Sequence, residues 1–196
     1  MERSLIKDAV GCSVDRGDGV MEMASIGKCT YNFQLHENME AYLRGDAPLD
    51  KWSSENIVTN QGKNLTNDVM FGTTSKIATW YILIFSTNTT CVVGMTYGTP
   101  VFTEFTTYTE NNRPEYTDVP SASQIMTNVA SRAVFTIDTG GTATIYGAGL
   151  VGGTNAATKG NATASGNYLY SASLFGTAKS VVPTNVLSVD ISITQS

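Results

Sequence analysis

Leu187-Ser188-Val189-Asp190-Ile191-Ser192-Ile193-Thr194 alternates without a fault, with apolar side chains on one parity and polar ones on the other. Successive side chains of a pleated strand point to opposite faces, so this stretch predicts a strand with one apolar and one wetted face. Burying its four apolar side chains would contribute roughly 6 to 12 kcal/mol as an upper-end transfer estimate. Similar Thr- and Val-rich runs recur upstream: Ala130 to Asp138, Thr142 to Val151 and Tyr168 to Phe175. Thr79 to Ser86 is nearly all apolar, as for a strand buried on both faces, and Val92 to Tyr97 is a further candidate. Asp138-Thr139-Gly140-Gly141-Thr142 predicts a hairpin turn, because Gly-Gly tolerates the positive φ such turns need. Residues 152–167, poor in bulk and rich in Gly, Ala, Asn and Thr, predict an exposed loop. Strands with no helical pattern between them point to a mainly β chain, an antiparallel β-sandwich or jelly roll.

Upstream the pattern changes. Leu35, Met39 and Leu43 repeat every four residues, Gly45 follows as a C-cap and Pro48 forbids continuation, which predicts an amphipathic helix over Asn32 to Arg44. Trp52 to Thr59 reads as extended, Asn60-Gln61-Gly62 as a turn, and Leu65, Val69 and Met70 as a second short helix ending at Gly72. Residues 1–27 follow neither period. The expected organisation is an N-terminal arm (1–27), a helical segment (28–50) and a β-sandwich domain (51–196). The apolar residues scattered along the arm, Leu5, Ile6, Val10, Val20, Met21 and Met23, are the candidate partner contacts.

The totals narrow the function. At 196 residues and 41% hydrophobic content the chain has material for one good-sized core. A net charge of -5 without a basic cluster argues against nucleic acid as partner. The longest apolar run, Trp80 to Phe85, is six residues; a spanning helix needs roughly 20. With no signal-peptide pattern at Met1 to Val10, the expectation is a soluble chain made in a cytosol, without membrane contact. Cys12, Cys29 and Cys91 form no CxxC or CxxxC pair, so zinc and redox motifs are absent and buried free thiols are expected.

Motifs for chemistry come close and fail. His36, the only histidine, falls in the predicted helix out of register with its apolar stripe, which reads as a solvent-facing side chain rather than a catalytic base. Gly147-Ala148-Gly149-Leu150-Val151-Gly152 matches GxGxxG. It lacks both the following helix and the acidic residue of a dinucleotide site, so glycines at a strand edge or bulge explain it better. Asp15, Asp18 and Glu22 lack calcium-loop spacing. Glu104, Glu110, Glu115 and Asp118 lie in the irregular, Pro-containing stretch 98–128, where a solvated loop is the expectation over a glycosidase pair. No catalytic residue, cofactor or metal is expected.

Several fragments, taken in order, do carry a resemblance. Trp52-Ser53-Ser54-Glu55-Asn56-Ile57-Val58-Thr59-Asn60-Gln61-Gly62, with Asn64-Leu65 and Asp68, resembles the NLVTNxGxNxxLD opening of small virion proteins of tailed phages. Thr79 to Phe85 is similar to their WYvgLf strand. Arg113-Pro114-Glu115-Tyr116, Ala133 to Ile137, Ile145 to Leu150, Ser173-Leu174-Phe175, Ala178 to Val182 and Leu187-Ser188-Val189 follow in the same order, covering about residues 52 to 194. The chain thus resembles head decoration, or cement, proteins. The resemblance implies a jelly-roll-like sandwich on the capsid exterior, bound to the major capsid protein, without catalytic residues. Residues 1 to about 48 have no match in it. The expected function is a non-enzymatic, capsid-stabilising virion protein assembled in the host cytoplasm as a homo-oligomer, a dimer first. The alternative is a head or tail fibre component binding a host-surface glycan, whose sign would be an exposed cluster of Tyr108, Tyr116, Tyr168 and Tyr170.

Overall fold

The computed structural model describes residues 28–194. The arm proposed as partner contact, with Leu5, Ile6, Val10, Val20, Met21 and Met23, lies outside them, as does Cys12. In chain order the elements are β1 (Lys28–His36), α1 (Met39–Arg44), β2 (Asp50–Glu55), β3 (Ile57–Val58), α2 (Asn60–Phe71) and β4 (Trp80–Phe85). Then come β5 (Glu115–Tyr116), β6 (Ile125–Thr127), β7 (Ala133–Thr136), β8 (Ala143–Gly153), β9 (Asn167–Val181) and β10 (Val186–Thr194).

The strands form two antiparallel five-stranded sheets, a β-sandwich as expected. One sheet runs β2-β1-β10, with β7 and β6 sharing the far side of β10; the other runs β3-β9-β8-β4-β5. The alternating residues that predicted β10 turn inward: Leu187, Val189 and Ile191 are fully buried with Tyr31 and Phe33 of β1, against Ile82, Ile84, Ile145 and Leu150 of the facing sheet. Phe33 stacks on Trp52 at 5.1 Å and meets Phe175 edge-on at 4.6 Å. Along one side the sheets are tied together. Ser173 Oγ donates to Glu55 O (2.7 Å), Ser54 Oγ donates to Leu174 O (3.0 Å), and Lys179 Nζ pairs with Asp50 (2.8 Å).

Three expectations are corrected here. Residues 28–36 of the predicted helical segment form a strand, paired with β10 over its whole length from Lys28↔Thr194 to His36↔Val186. Cys29, Tyr31, Phe33 and Leu35 alternate and point into the core. The four-residue spacing of Leu35, Met39 and Leu43 spans a strand end, the Asn38 cap and one short helix. Leu43 is accordingly 74% exposed. Second, the polar face of β10 is not fully wetted: Ser188 and Asp190 are buried, Asp190 between Asn32 of β1 and Arg132 just before β7. Asp190 accepts from Asn32 Nδ2 (2.8 Å) and pairs with Arg132 Nη2 (2.5 Å). Third, Asp138–Thr142 is no hairpin: it carries the chain from β7 in one sheet to β8 in the other, and neither Gly140 nor Gly141 adopts positive φ.

The second sheet is covered on both faces, which accounts for the unbroken apolar run of β4. One face meets the first sheet. On the other, Leu83, Phe85, Val151 and Leu169 lie under Cys91, Met95, Tyr97 and Phe102 from the loops after β4. Val92 to Tyr97 is part of that covering layer, built from turns rather than from a strand, and Val92 and Val93 are exposed. The predicted turn at Asn60-Gln61-Gly62 is the first turn of α2. Thr59 caps it by accepting from Gly62 N (2.9 Å) while donating to Leu169 O of β9 (2.5 Å). A Cβ at Gly62 would stand 2.5 Å from Tyr170 O, so only glycine lets α2 approach β9 this closely.

Candidate functional site

The loops over the second sheet converge on one side chain. Arg113, 3% exposed, sits just before β5 and donates Nε to Glu104 Oε1 (2.7 Å) and Nη2 to Glu104 Oε2 (2.6 Å). Its Nη1 donates to Tyr97 OH (2.6 Å) and Ala156 O (2.8 Å), and Nη2 also donates to Asn161 O (3.2 Å). Glu104 Oε2 accepts in addition from Gly160 N (2.9 Å). A guanidinium has five N–H donors in a fixed fork, and all five are taken. Burial by itself pulls the Arg113 pKa down, but Glu104 and Tyr97 outweigh it and hold the cation charged.

Residues 152–167 are largely exposed, as expected, but the loop is anchored. Two of its carbonyls are gripped by Arg113, Ala156 is fully buried, and Asn167 ties the loop to itself through Asn155 N (2.9 Å) and Thr163 O (2.7 Å). Between the loops and the sheet lies a cavity of about 290 Å³. Leu83, Val151 and Leu169 form its floor, Phe102 and Tyr97 its walls, and Glu104 and Arg113 its polar end. The exposed residues Pro100, Thr103, Thr106 and Ala162 ring its mouth.

The four carboxylates considered as a sugar-cleaving pair are dispersed in role. Glu104 is bound by Arg113, Glu110 accepts from Thr136 N at 3.0 and 3.1 Å, and Glu115 and Asp118 are exposed. The tyrosines named for glycan binding form no exposed cluster: Tyr108, Tyr116 and Tyr170 are core residues, and only Tyr168 is partly exposed. The GxGxxG glycines lie within β8, an inner strand, where its pairing with β9 shifts register; a Cβ at Gly147 would strike the Phe85 ring. They serve close strand packing at a bulge.

His36 is corrected from solvent-facing to buried, at 4% exposure. It ends β1 under the ring of Tyr42 (5.2 Å, edge-on), and neither ring nitrogen has a hydrogen-bond partner. Its pKa is lowered by burial, then by Lys51 and Arg132, with Asp46 opposing. Burial pushes the thiols of Cys29 and Cys91 up to about 11, so both stay protonated near neutral pH. Among the described residues no group of three or more His, Cys, Asp or Glu is placed to hold a metal, and no helix is long and apolar enough to cross a membrane. The Arg113 assembly was missed by sequence reading; the only local signal was a lone arginine beside proline in a polar run.

Comparison with protein-family models and with curated proteins found no match.

Proposed function

We propose that this chain is a non-enzymatic head decoration protein that binds the outer surface of an icosahedral capsid lattice and stabilises it. The observation that carries this reading is the double-covered second sheet. Its buried ion pair is wholly engaged in fastening the covering loops, which makes a stiff body with its inward-facing charge committed to structure. Stiffness is what a cement protein contributes: it bridges neighbouring subunits and resists their separation under internal pressure.

Candidates for such a contact are present on the surface. Leu43, Leu49, Met70 and Phe71 are each more than 60% exposed, and aromatic residues and Met, here Phe71 and Met70, are enriched at interfaces. A lasting contact needs on the order of 1,000 Å² of buried area. The order of the fragments that resemble those of tailed-phage virion proteins supports the same role, with the major capsid protein as partner. Symmetric sites on a shell favour a homo-oligomer, a dimer first.

The test is co-sedimentation of the purified protein with empty heads. Saturable pelleting at a fixed ratio to the capsid subunit is expected; protein left in the supernatant at every concentration contradicts the proposal.

A further inference from the structure

His36 ends β1 in surroundings that suit it only while it is uncharged. It is 4% exposed, yet neither ring nitrogen has a hydrogen-bond partner among the described residues. Buried polar atoms are paired as a rule, so a buried imidazole left without partners calls for a reason. The Tyr42 ring covers it edge-on at 5.2 Å. Charged groups face it from several sides: Lys51 on β2, Arg132 just before β7 and Asp46 after α1. Arg132 is paired with Asp190 of β10 (2.5 Å). Asp46 is held by Arg44 (2.7 Å), which also pairs with Glu40 of α1 (2.6 Å), and Glu37 beside the histidine is exposed. A proton on His36 would therefore meet burial, two cations, and an anion already engaged by Arg44.

Tyr42 belongs to the connection from β1 to β2, residues 37–49, whose base is closed by Leu49 N donating to Leu35 O (2.7 Å). Much of its bonding is internal. Ala41 N donates to Asn38 Oδ1 (2.9 Å), Gly45 N to Tyr42 O (3.1 Å) and Asp46 N to Ala41 O (3.0 Å). Towards the sheets, Glu37 O accepts from Asn185 Nδ2 (3.1 Å) and Tyr42 lies over His36. Ala41 is the one buried residue in the connection, and Glu40, Leu43 to Ala47 and Leu49 are exposed. A segment with so little buried apolar surface opens more readily than the strands it joins. The six-residue helix α1 has no stability of its own once released.

We infer that residues 37–49 are an acid-opened flap: taking up a proton on His36 releases Tyr42 and α1 from the end of the first sheet, while β1 and β2 stay paired. With the flap closed, burial, then Lys51 and Arg132, hold the imidazole below its ordinary value of about 6.5. With the flap open the ring stands in water and titrates at that ordinary value. Opening therefore takes up a proton and is favoured as pH falls below about 6.5. One proton per opening raises the open fraction by at most about tenfold per pH unit. Asp46 stays ionised throughout, since its hydrogen bond from Arg44 holds its carboxyl below the usual range.

Amide hydrogen exchange of the whole chain between pH 7.5 and 5, corrected for the intrinsic rate at each pH, is the test. Protection at Tyr42, Gly45 and Asp46 should fall by about threefold or more on acidification. It should also lie well below that of β8 and β9 and stay unchanged in low urea, as for an opening much smaller than unfolding. His36→Gln, neutral across the range, should abolish the fall; His36→Phe serves the same purpose if the glutamine variant does not fold. No fall in the unmodified chain, or the same fall in the variant, overturns the inference. So does equal protection in the flap and in β8 and β9, since these amides would then open only by global unfolding. A rise in protection on acidification also overturns it, because the imidazolium would then have drawn Asp46 from Arg44 and tightened the flap.

Discussion

Arg113 and Glu104 form a buried pair whose worth shows only when one partner is removed. Arg113→Met leaves Glu104 as an uncompensated charge and frees two loop carbonyls, and breaking such a pair costs about 3 to 5 kcal/mol. Urea unfolding should register that loss, and the double variant Arg113→Met/Glu104→Gln should recover part of it because the stranded charge is gone. Equal stability of the single and double variants would contradict this account. His36 makes a prediction in pH. Its folded pKa lies below the ordinary value of about 6.5, so in that window the unfolded chain binds more protons than the folded one. Stability is therefore fully present above about pH 6.5 and falls as pH drops towards the folded pKa. The groups around the imidazole are Lys51 on β2, Arg132 before β7, Asp46 after α1 and the Tyr42 ring, and Asp46 is itself paired with Arg44 (2.7 Å). Thermal melts between pH 7.5 and 5 should show a decline that His36→Gln reduces; an identical decline in both proteins would assign it to other groups.

At the scale of elements, α2 depends on its cap. Thr59→Ala removes the acceptor for Gly62 N and the donor to Leu169 O together, and should cost about 1 to 2 kcal/mol in urea unfolding. Thr59→Ser keeps the hydroxyl and should cost less. The elements also show what local pattern can and cannot convey. β10 was legible because period-two alternation is a direct consequence of the pleat, and β4 because a strand covered on both faces has no reason to alternate. Burial of Asp190 was not legible, since its partners Asn32 and Arg132 come from distant parts of the chain. The alternation of Cys29, Tyr31, Phe33 and Leu35 was present in the sequence, but the four-residue spacing from Leu35 to Leu43 competed with it, and long-range pairing with β10 decided between them. The Asp138–Thr142 turn chemistry marked a change of direction, yet no local feature distinguishes a hairpin from a crossing between sheets. The Arg113 assembly joins residues 97, 104 and 113 of the β4–β5 connection with 156 and 161 of the β8–β9 connection, contacts that exist only once the topology has brought these two loops together.

For the described residues as a whole, the consequence is a layered body: two sheets share one core, and a second apolar layer covers the other face of the second sheet, tied down by Arg113 together with Gln61 and Lys159. The chain's net charge of -5 discourages association with nucleic acid. Cryo-electron microscopy of the virion tests the central claim most directly. The account predicts density matching this sandwich at repeated positions over the outside of the capsid shell, in contact with more than one major capsid subunit. Density confined to the tail, or a shell surface bare of it, would contradict the account.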